Sequence, residues 1–159
     1  MKVIFLDVDG VLNCIHSKSR CGGFVGIDND KVKRLRKIVE ATSAKIVLSS
    51  SWKNGWEKRY KEDQDELANY LDRKLKREGL RIIDKTTESN SSYRGEGIIH
   101  WVGEHDVDTF IMLDDEEFDY VTCGISSRLV KTSFYDFYDD IGGLQDNHVE
   151  LAIALLNTE

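Results

Sequence analysis

The sequence lacks a long hydrophobic run. No apolar stretch approaches the length that spans a membrane, and the apolar run after Met1 and Lys2 is interrupted at Asp7, too early for a signal peptide. We therefore expect a cytoplasmic protein with no membrane partner.

Cysteine is also scarce. The three cysteines Cys14, Cys21 and Cys123 are odd in number and widely spread, which does not resemble a disulfide framework and indicates reduced thiols. Cys14, His16 and Cys21 lie close in sequence, but three ligands without a fourth are a weak zinc signal. Incidental loop residues are the favoured interpretation.

Internal repeats, low-complexity tracts and linkers are missing as well. The chain has 159 residues, of which 40% are hydrophobic and 32% are charged, values ordinary for a globular protein. We expect one domain spanning residues 1–159.

The formal net charge is -7, and it is unevenly distributed. Residues 1–93 contain 19 of the 22 basic residues, whereas residues 94–159 contain 15 of the 29 acidic ones. An acidic protein does not attract a polyanion through its overall field, although a local basic surface can. The densest basic cluster is Lys31, Lys33, Arg34, Arg36 and Lys37. We interpret it as the solvated face of a helix, with guidance of a nucleic acid as the alternative.

The most informative stretch is the start of the chain. The apolar residues 3–6 predict a buried strand, which ends in Asp7 and Asp9, followed by Gly10. Burial of unpaired carboxylates is costly, so such a pair is expected where a metal or a ligand can meet it. An Asx turn that only terminates the strand is the alternative.

Strands alternate with helices along the rest of the chain. Patterns predict strands at 45–48, 80–84, 109–113 and 128–134, helices at about 30–41, 63–78 and 147–156, a short helix after Arg94, and a small hairpin within 13–27. Asp28 or Asn29 is expected to cap the first helix. This alternation predicts an α/β fold, a three-layer α/β/α sandwich around a mostly parallel sheet.

Further polar residues fall at predicted carboxyl ends of strands. Ser49 and Ser50 follow the second strand, and Asp114 and Asp115 follow the fourth. Because sites in parallel sheets lie at this edge, we expect the four acidic residues Asp7, Asp9, Asp114 and Asp115 to bind Mg²⁺, which prefers oxygen ligands. The Val8 carbonyl is a candidate for one more oxygen.

A carboxylate nucleophile, a second carboxyl group that shuttles a proton, a serine hydroxyl at a strand end and a hard cation together predict phosphoryl transfer through an aspartyl-phosphate. A positive side chain is needed to hold the transferred group, and Arg94 is the first candidate, with Lys85 and Lys53 in reserve. Trp52 and Trp56 are predicted core or cleft-wall residues, with stacking on a base as the second interpretation.

Four motifs occur in the order found in the haloacid dehalogenase-like (HAD) superfamily, and they resemble its motifs from residue 2 to about residue 119. They are Asp7-Val8-Asp9-Gly10-Val11-Leu12 after an apolar strand, Ser49 at the end of the second strand, a basic residue before a late helix, and Asp114-Asp115 at the end of a strand. The segments Leu12-Asn13, Ser49-Ser50-Ser51-Trp52 and Arg94-Gly95 are also similar to a subgroup associated with nucleic-acid repair proteins. The resemblance implies a Rossmann-like sheet.

The resemblance also implies residue roles. Asp7 would be the nucleophile and a metal ligand, and Asp9 the general acid and base. Ser49 or Ser50 and Arg94 would bind the phosphoryl group, and Asp114 and Asp115 would anchor Mg²⁺. Asp119 is a candidate for assisting the metal, with a solvated loop acid as the favoured interpretation.

The intervals between motifs are too short for the cap domain that most relatives carry. We therefore expect an open cleft that accepts a phosphorylated small molecule or the phosphorylated end of a macromolecule. A nucleotide or polynucleotide end is the first choice, a protein or sugar phosphate is left open, and we expect a monomer or weak homo-oligomer. The alternative function is a non-catalytic phosphate-binding or protein-interaction module on the same fold.

Overall fold

The computed structural model describes residues 1–135 and 142–158, and this part contains a five-stranded parallel sheet, a two-stranded hairpin and four α-helices. The sheet strands are β1 (Lys2–Leu6), β4 (Lys45–Leu48), β5 (Ile82–Lys85), β6 (Thr109–Asp114) and β7 (Leu129–Lys131), and the hairpin strands are β2 (Arg20–Cys21) and β3 (Phe24–Val25). The helices are α1 (Asn29–Thr42), α2 (Glu66–Lys76), α3 (Arg94–Gly103) and α4 (Asp146–Asn157). Short 3₁₀ turns lie at Ser51–Gly55, Lys61–Asp63, Ser91–Tyr93 and Ser126–Arg128.

The sheet has the strand order β5-β4-β1-β6-β7, with β1 in the centre. Phe5 of β1 lies opposite Val47 of β4 on one side and Met112 of β6 on the other, and all neighbouring strands are parallel. The carboxyl ends of β1, β4 and β6 therefore meet at one edge of the sheet.

Helices cover both faces of the sheet. Because side chains alternate along a strand, Ile4 and Leu6 pack in the cluster that contains α1, α2 and α4, whereas Val3 and Phe5 pack with α3 on the opposite face. Each fully buried aliphatic side chain contributes about 1.5–3 kcal/mol of hydrophobic stabilisation. The predicted α/β three-layer fold with a mostly parallel sheet is confirmed.

The ends of some elements differ from the prediction. Helix α2 begins at Glu66 rather than near 63, because the Asp65 carboxylate accepts from the Ala68 amide at 2.8 Å and residues 61–63 form a 3₁₀ turn. The last strand ends at Lys131 rather than 134, and the Thr132 hydroxyl beyond it donates to the Gly10 carbonyl.

Asp28 is the N-cap residue of α1, as predicted, but it does not cap the helix through its side chain, which makes no hydrogen bond to the first turn. Its carboxylate instead accepts from the Ser17 hydroxyl at 2.5 Å and pairs with Lys31 at 3.0 Å.

No large cap domain covers the sheet edge within the described residues. The interval between β1 and α1 contains only the β2–β3 hairpin, and the interval between β4 and β5 contains two 3₁₀ turns and α2. In the same part of the chain, no helix is both long enough and apolar enough to cross a membrane.

Candidate active site

Asp7 follows the central strand directly and lies at the carboxyl edge of the sheet. Its amide donates to the Leu113 carbonyl at 3.0 Å, which continues the pairing of β1 with β6 and fixes the position of the carboxylate. The side chain is buried, with 6% of the residue exposed. The neighbouring strands thereby bring Asp7 close to Asp114.

The chain turns sharply after Asp7. The Val8 carbonyl accepts from the amides of Val11 at 3.1 Å and Leu12 at 2.8 Å, so the turn itself engages this oxygen, and its expected role as a metal ligand stays a prediction. Gly10 has a φ of +86°, and a Cβ there would overlap the Asp115 side chain. Glycine is therefore required both by the turn and by the close approach of Asp115.

Three carboxylates converge at this edge. Asp7, Asp114 and Asp115 each offer an oxygen within 4.8 Å of the others, and they are the one such acidic or metal-ligating group of three or more found within residues 1–135 and 142–158. Asp114 is completely buried. Asp9 lies outside this group, and Cys14, His16 and Cys21 form no such group in the same residues.

Crowding of the carboxylates perturbs their protonation. Burial, reinforced by the neighbouring Asp114, raises the pKa of Asp7 well above its usual value, although Arg94 opposes this. Burial and Asp114 likewise raise the pKa of Asp115 to about 6. The three carboxylates therefore need a nearby positive charge if all of them are to be ionised near neutral pH.

Arg94, the first residue of α3, supplies part of the missing charge. Its Nη1 lies 2.8 Å from Asp114 Oδ2 and 3.5 Å from Asp7 Oδ1. Burial opposes the charge on Arg94, but Asp7 and Asp114 hold its pKa above the ordinary value. The Phe118 ring lies 4.2 Å from the guanidinium carbon, and Phe118 adopts a strained φ of +42° to occupy this position.

Asp114 is held in a fixed orientation by groups other than Arg94. Its Oδ2 accepts from the Tyr120 hydroxyl at 2.8 Å, and its Oδ1 accepts from the Glu116 amide at 3.1 Å. Tyr120 is fully buried, and burial followed by the Asp114 charge raises its pKa far above the usual value, so Tyr120 remains a neutral donor.

Asp119 is not the solvated loop acid that the sequence favoured, and its assistance to a metal stays a prediction. Its carboxylate accepts from the amides of Gly95 at 2.6 Å and Glu96 at 3.2 Å, at the start of α3. An acceptor at this position satisfies free helix amides and favours the helix dipole. Asp119 therefore caps the helix that carries Arg94.

Asp9 is held by two donors on the rim of the site. Asn13 Nδ2 donates to Asp9 Oδ1 at 2.9 Å, and Trp52 Nε1 donates to Oδ2 at 3.1 Å. Asn13 is itself fixed, because its Oδ1 accepts from the Gly10 amide at 2.9 Å and its Nδ2 also donates to the Gly26 carbonyl at 3.0 Å. Both carboxylate oxygens of Asp9 therefore have a defined direction.

The serine run ends β4 at the same edge. Ser49 and Ser50 are each 1% exposed, and Ser50 Oγ accepts from the Trp52 amide at 3.2 Å, at the start of the 3₁₀ turn. Ser51 is exposed and lines the cleft. The phosphate-binding roles expected for Ser49 and Ser50 stay predictions, and Ser51 joins them as a candidate.

The reserve cations are engaged elsewhere. Lys85 Nζ donates to the backbone carbonyls of Lys53 at 2.9 Å and Trp56 at 2.6 Å. Lys53 Nζ donates to Thr86 Oγ1 at 3.1 Å and pairs with Glu88. Arg94 is thus the cation in contact with the carboxylates.

The cleft above these groups is open and has a volume of about 480 Å³. Asp7, Asp9, Arg94 and Asp115 line it, together with four aromatic residues. These aromatic residues are Phe24, Phe118, Phe134 and Tyr135. Phe24 and Tyr135 are 59% and 71% exposed, so the cleft has an apolar rim over a charged floor.

The donor set fits a hard divalent cation. Three carboxylates within 4.8 Å, two of them with raised pKa values, share the single positive charge of Arg94. Mg²⁺ prefers oxygen ligands and needs few of them from protein. Asp7, Asp114 and Asp115 are the residues that would hold it.

Sequence reasoning missed three supporting residues, Asn13, Trp52 as a donor, and Tyr120. Asn13 lies within the first motif and Tyr120 lies six residues after Asp114, so proximity to the motifs was a usable signal. Trp52 follows the serine run, but its bond to Asp9 joins residues 43 apart, which no local pattern indicates.

Comparison with known proteins agrees with this geometry. The model of a family described as "HAD domain in Swiss Army Knife RNA repair proteins" matches residues 3–140. No curated protein and no solved structure matches the chain. Because the family match covers most of its length, the chain belongs to this family, and membership of a HAD family indicates a phosphohydrolase.

Proposed function

We propose that this HAD family member is a Mg²⁺-dependent phosphatase that hydrolyses a phosphomonoester through an aspartyl-phosphate on Asp7. The observation that carries the proposal is the convergence of Asp7, Asp114 and Asp115 within 4.8 Å of one another at the carboxyl ends of two neighbouring strands. Arg94, in contact with two of them, adds the positive charge that a phosphoryl group needs.

In the first step, an Asp7 oxygen attacks the phosphorus and the bond from phosphorus to the leaving-group oxygen breaks. Asp9 donates a proton to that oxygen, so the leaving group departs as an alcohol. In the second step, Asp9 removes a proton from a water molecule, which attacks the phosphorus. The bond to Asp7 breaks, and inorganic phosphate and the free carboxylate are restored.

The supporting groups orient these two aspartates. Asn13 and Trp52 direct the Asp9 carboxylate, and Arg94 stabilises the charge on the phosphoryl oxygens. A serine hydroxyl from the run 49–51 donates to the same oxygens. Bound Mg²⁺ would neutralise the carboxylates and polarise the phosphoryl group.

The substrate we favour is the phosphorylated end of a nucleotide or polynucleotide. Three observations support this choice: the cleft is open, aromatic side chains rim it, and the family is described as a domain of RNA repair proteins. Aromatic faces bind bases without regard to sequence.

The first experiment measures turnover of p-nitrophenyl phosphate with Mg²⁺ by the purified chain and by Asp7→Asn. We expect turnover that is lost in Asp7→Asn and in excess chelator. Asp63→Asn, which changes an exposed acid with no ion pair in the described residues, is the matched control and should behave as wild type. Absence of turnover with any phosphate ester would favour a non-catalytic phosphate-binding module instead.

A further inference from the structure

A second cavity lies against the edge strand β5, outside the carboxylate cleft. Its volume is about 690 Å³, and it is bordered by four basic residues and one acidic residue. The basic residues are Lys58, Lys61, Lys76 and Arg81, and the acidic one is Asp72. We call this cavity the basic pocket. It stands out on a chain whose formal net charge is -7.

Two of the positive charges in the basic pocket are uncompensated. Lys61 pairs with Asp72 at 3.2 Å, and Lys58 lies 3.4 Å from Asp84. Lys76 and Arg81 are exposed and form no ion pair within the described part of the chain. These two side chains are therefore free to contact an anion.

The floor of the basic pocket is apolar. Leu80 and Ile82 line it, and the ring of Trp56 lies beneath Lys61, whose Nζ is 4.1 Å from the ring centroid. Trp56 itself is 2% exposed, so it forms the wall rather than a stacking face. An occupant that fits this pocket has an anionic group beside an apolar body.

The basic cluster on α1 is a weaker candidate for anion binding. Lys31 pairs with Asp28, Arg34 with Asp30 and Asp146, and Arg36 with Glu40 and Glu78. Only Lys33 and Lys37 of that cluster form no ion pair in the described residues. The acidic partners thus neutralise most of the face that is densest in sequence.

The basic pocket and the cleft are joined by one short segment. Ser51 lines the cleft, Trp56 lines the pocket, and the residues between them form the 3₁₀ turn Ser51–Gly55. Lys76 at the end of α2 and Arg81 before β5 lie towards the amino end of that strand, whereas the cleft lies at the carboxyl ends of the neighbouring strands. The four residues of β5 separate its two ends by about 13 Å along the strand. Ten nucleotides span about 34 Å even at a helical rise of about 3.4 Å per nucleotide, so one extended strand can reach both sites.

We propose that the basic pocket binds the phosphodiester backbone of a single-stranded nucleic acid whose phosphorylated end occupies the cleft. A nucleic acid strand supplies both parts of the fit, with phosphates for Lys76 and Arg81 and sugar and base surface for the apolar floor. An acidic chain cannot hold a polyanion by its overall field, so a local basic site is needed. The inference rests on the proposed function, since the strand end must be a substrate.

The test measures fluorescence anisotropy of a labelled single-stranded oligoribonucleotide of about ten nucleotides without a terminal phosphate, a length typical of such sites. Three proteins are compared: the wild type, a pocket variant and a matched control. The pocket variant carries Lys76→Ala with Arg81→Ala, and the control carries Lys33→Ala with Lys37→Ala on α1. We expect the pocket variant to raise Kd about tenfold, as loss of charge-assisted contacts does. Its salt slope should fall by roughly 1.4, since each single-strand phosphate contact contributes about 0.7.

Turnover of p-nitrophenyl phosphate, which occupies the cleft alone, should be equal in all three proteins. Equal Kd values and salt slopes for the wild type and the pocket variant would overturn the proposal. Competition by polyglutamate as strong as by unlabelled oligoribonucleotide would overturn the assignment to nucleic acid. Binding that depends on the basic pocket, without turnover of any phosphate ester, would refute the phosphatase and leave the pocket standing.

Discussion

Replacement of Trp52 by phenylalanine separates the positioning of Asp9 from its chemistry. The substitution keeps an aromatic ring but removes the Nε1–H that donates to Asp9 Oδ2 at 3.1 Å. A hydrogen bond to a charged group contributes about 1.5–3 kcal/mol. Because Asn13 still holds the other oxygen, we expect partial loss of orientation and a fall in kcat of about tenfold, equivalent to about 1.4 kcal/mol.

The dependence on leaving group tests this reasoning. A general acid matters most when the leaving oxygen is a poor one, as in an alkyl phosphate, and little for p-nitrophenolate. Trp52→Phe should therefore slow hydrolysis of a small alkyl phosphate, which occupies the cleft alone, much more than hydrolysis of p-nitrophenyl phosphate.

Trp56 offers a matched control for the loss of packing. It is also buried, and its Nε1 also donates to a carboxylate at 3.1 Å, but that carboxylate is Asp72, away from the cleft. Trp56→Phe should lower thermal stability by a similar amount without changing the ratio of the two rates. Equal rate ratios for Trp52→Phe and Trp56→Phe would refute a positioning role for Trp52.

Three further predictions concern Asp9, Arg94 and the carboxylate group. Asp9→Asn should slow turnover of an alkyl phosphate by about 10² to 10⁴, the usual share of general acid–base catalysis, and an unchanged rate in steady-state assays would assign Asp9 another role. Arg94→Lys should reduce kcat/KM, because an ammonium cannot reproduce the planar contacts to Asp7 and Asp114, and a wild-type value would exclude Arg94 from phosphate stabilisation. Without metal, the raised pKa of Asp115 in the folded state means that its contribution to the free energy of unfolding is fully present below about pH 4 and is lost as the pH rises to about 6. The increase in Tm caused by Mg²⁺ should consequently grow between pH 5 and pH 7 in thermal unfolding, and a constant increase would contradict metal binding by Asp7 and Asp115.

The fold was predictable because its signals are local. Apolar runs of four or five residues, helical spacing such as that of Val32, Leu35 and Ile38, and polar residues directly after strands are all visible in short windows. Parallel pairing then brings Asp7 and Asp114 to one edge without any long-range information.

The connections around the site were not predictable in the same way. Asp119 caps a helix that begins more than 20 residues earlier, and Trp52 reaches Asp9 across the sheet edge. Both bonds depend on how loops fold back over the strands, and composition does not encode that. The two hydrogen bonds that the Val8 carbonyl accepts within the turn after β1 were not predictable either, for the same reason.

The basic residues show that a high density of charge along the sequence is not the same as unpaired charge on the folded protein. On α1 the charges are dense in sequence, but acids from α4 and from the end of α2 meet Arg34 and Arg36. Around the basic pocket they are dispersed between residues 58 and 81, yet the fold collects them on one side of β5. Charge available to a ligand is therefore what remains after tertiary pairing. Lys76 and Arg81 keep such charge, and they border the basic pocket, which we propose holds the part of a substrate that extends beyond its phosphate.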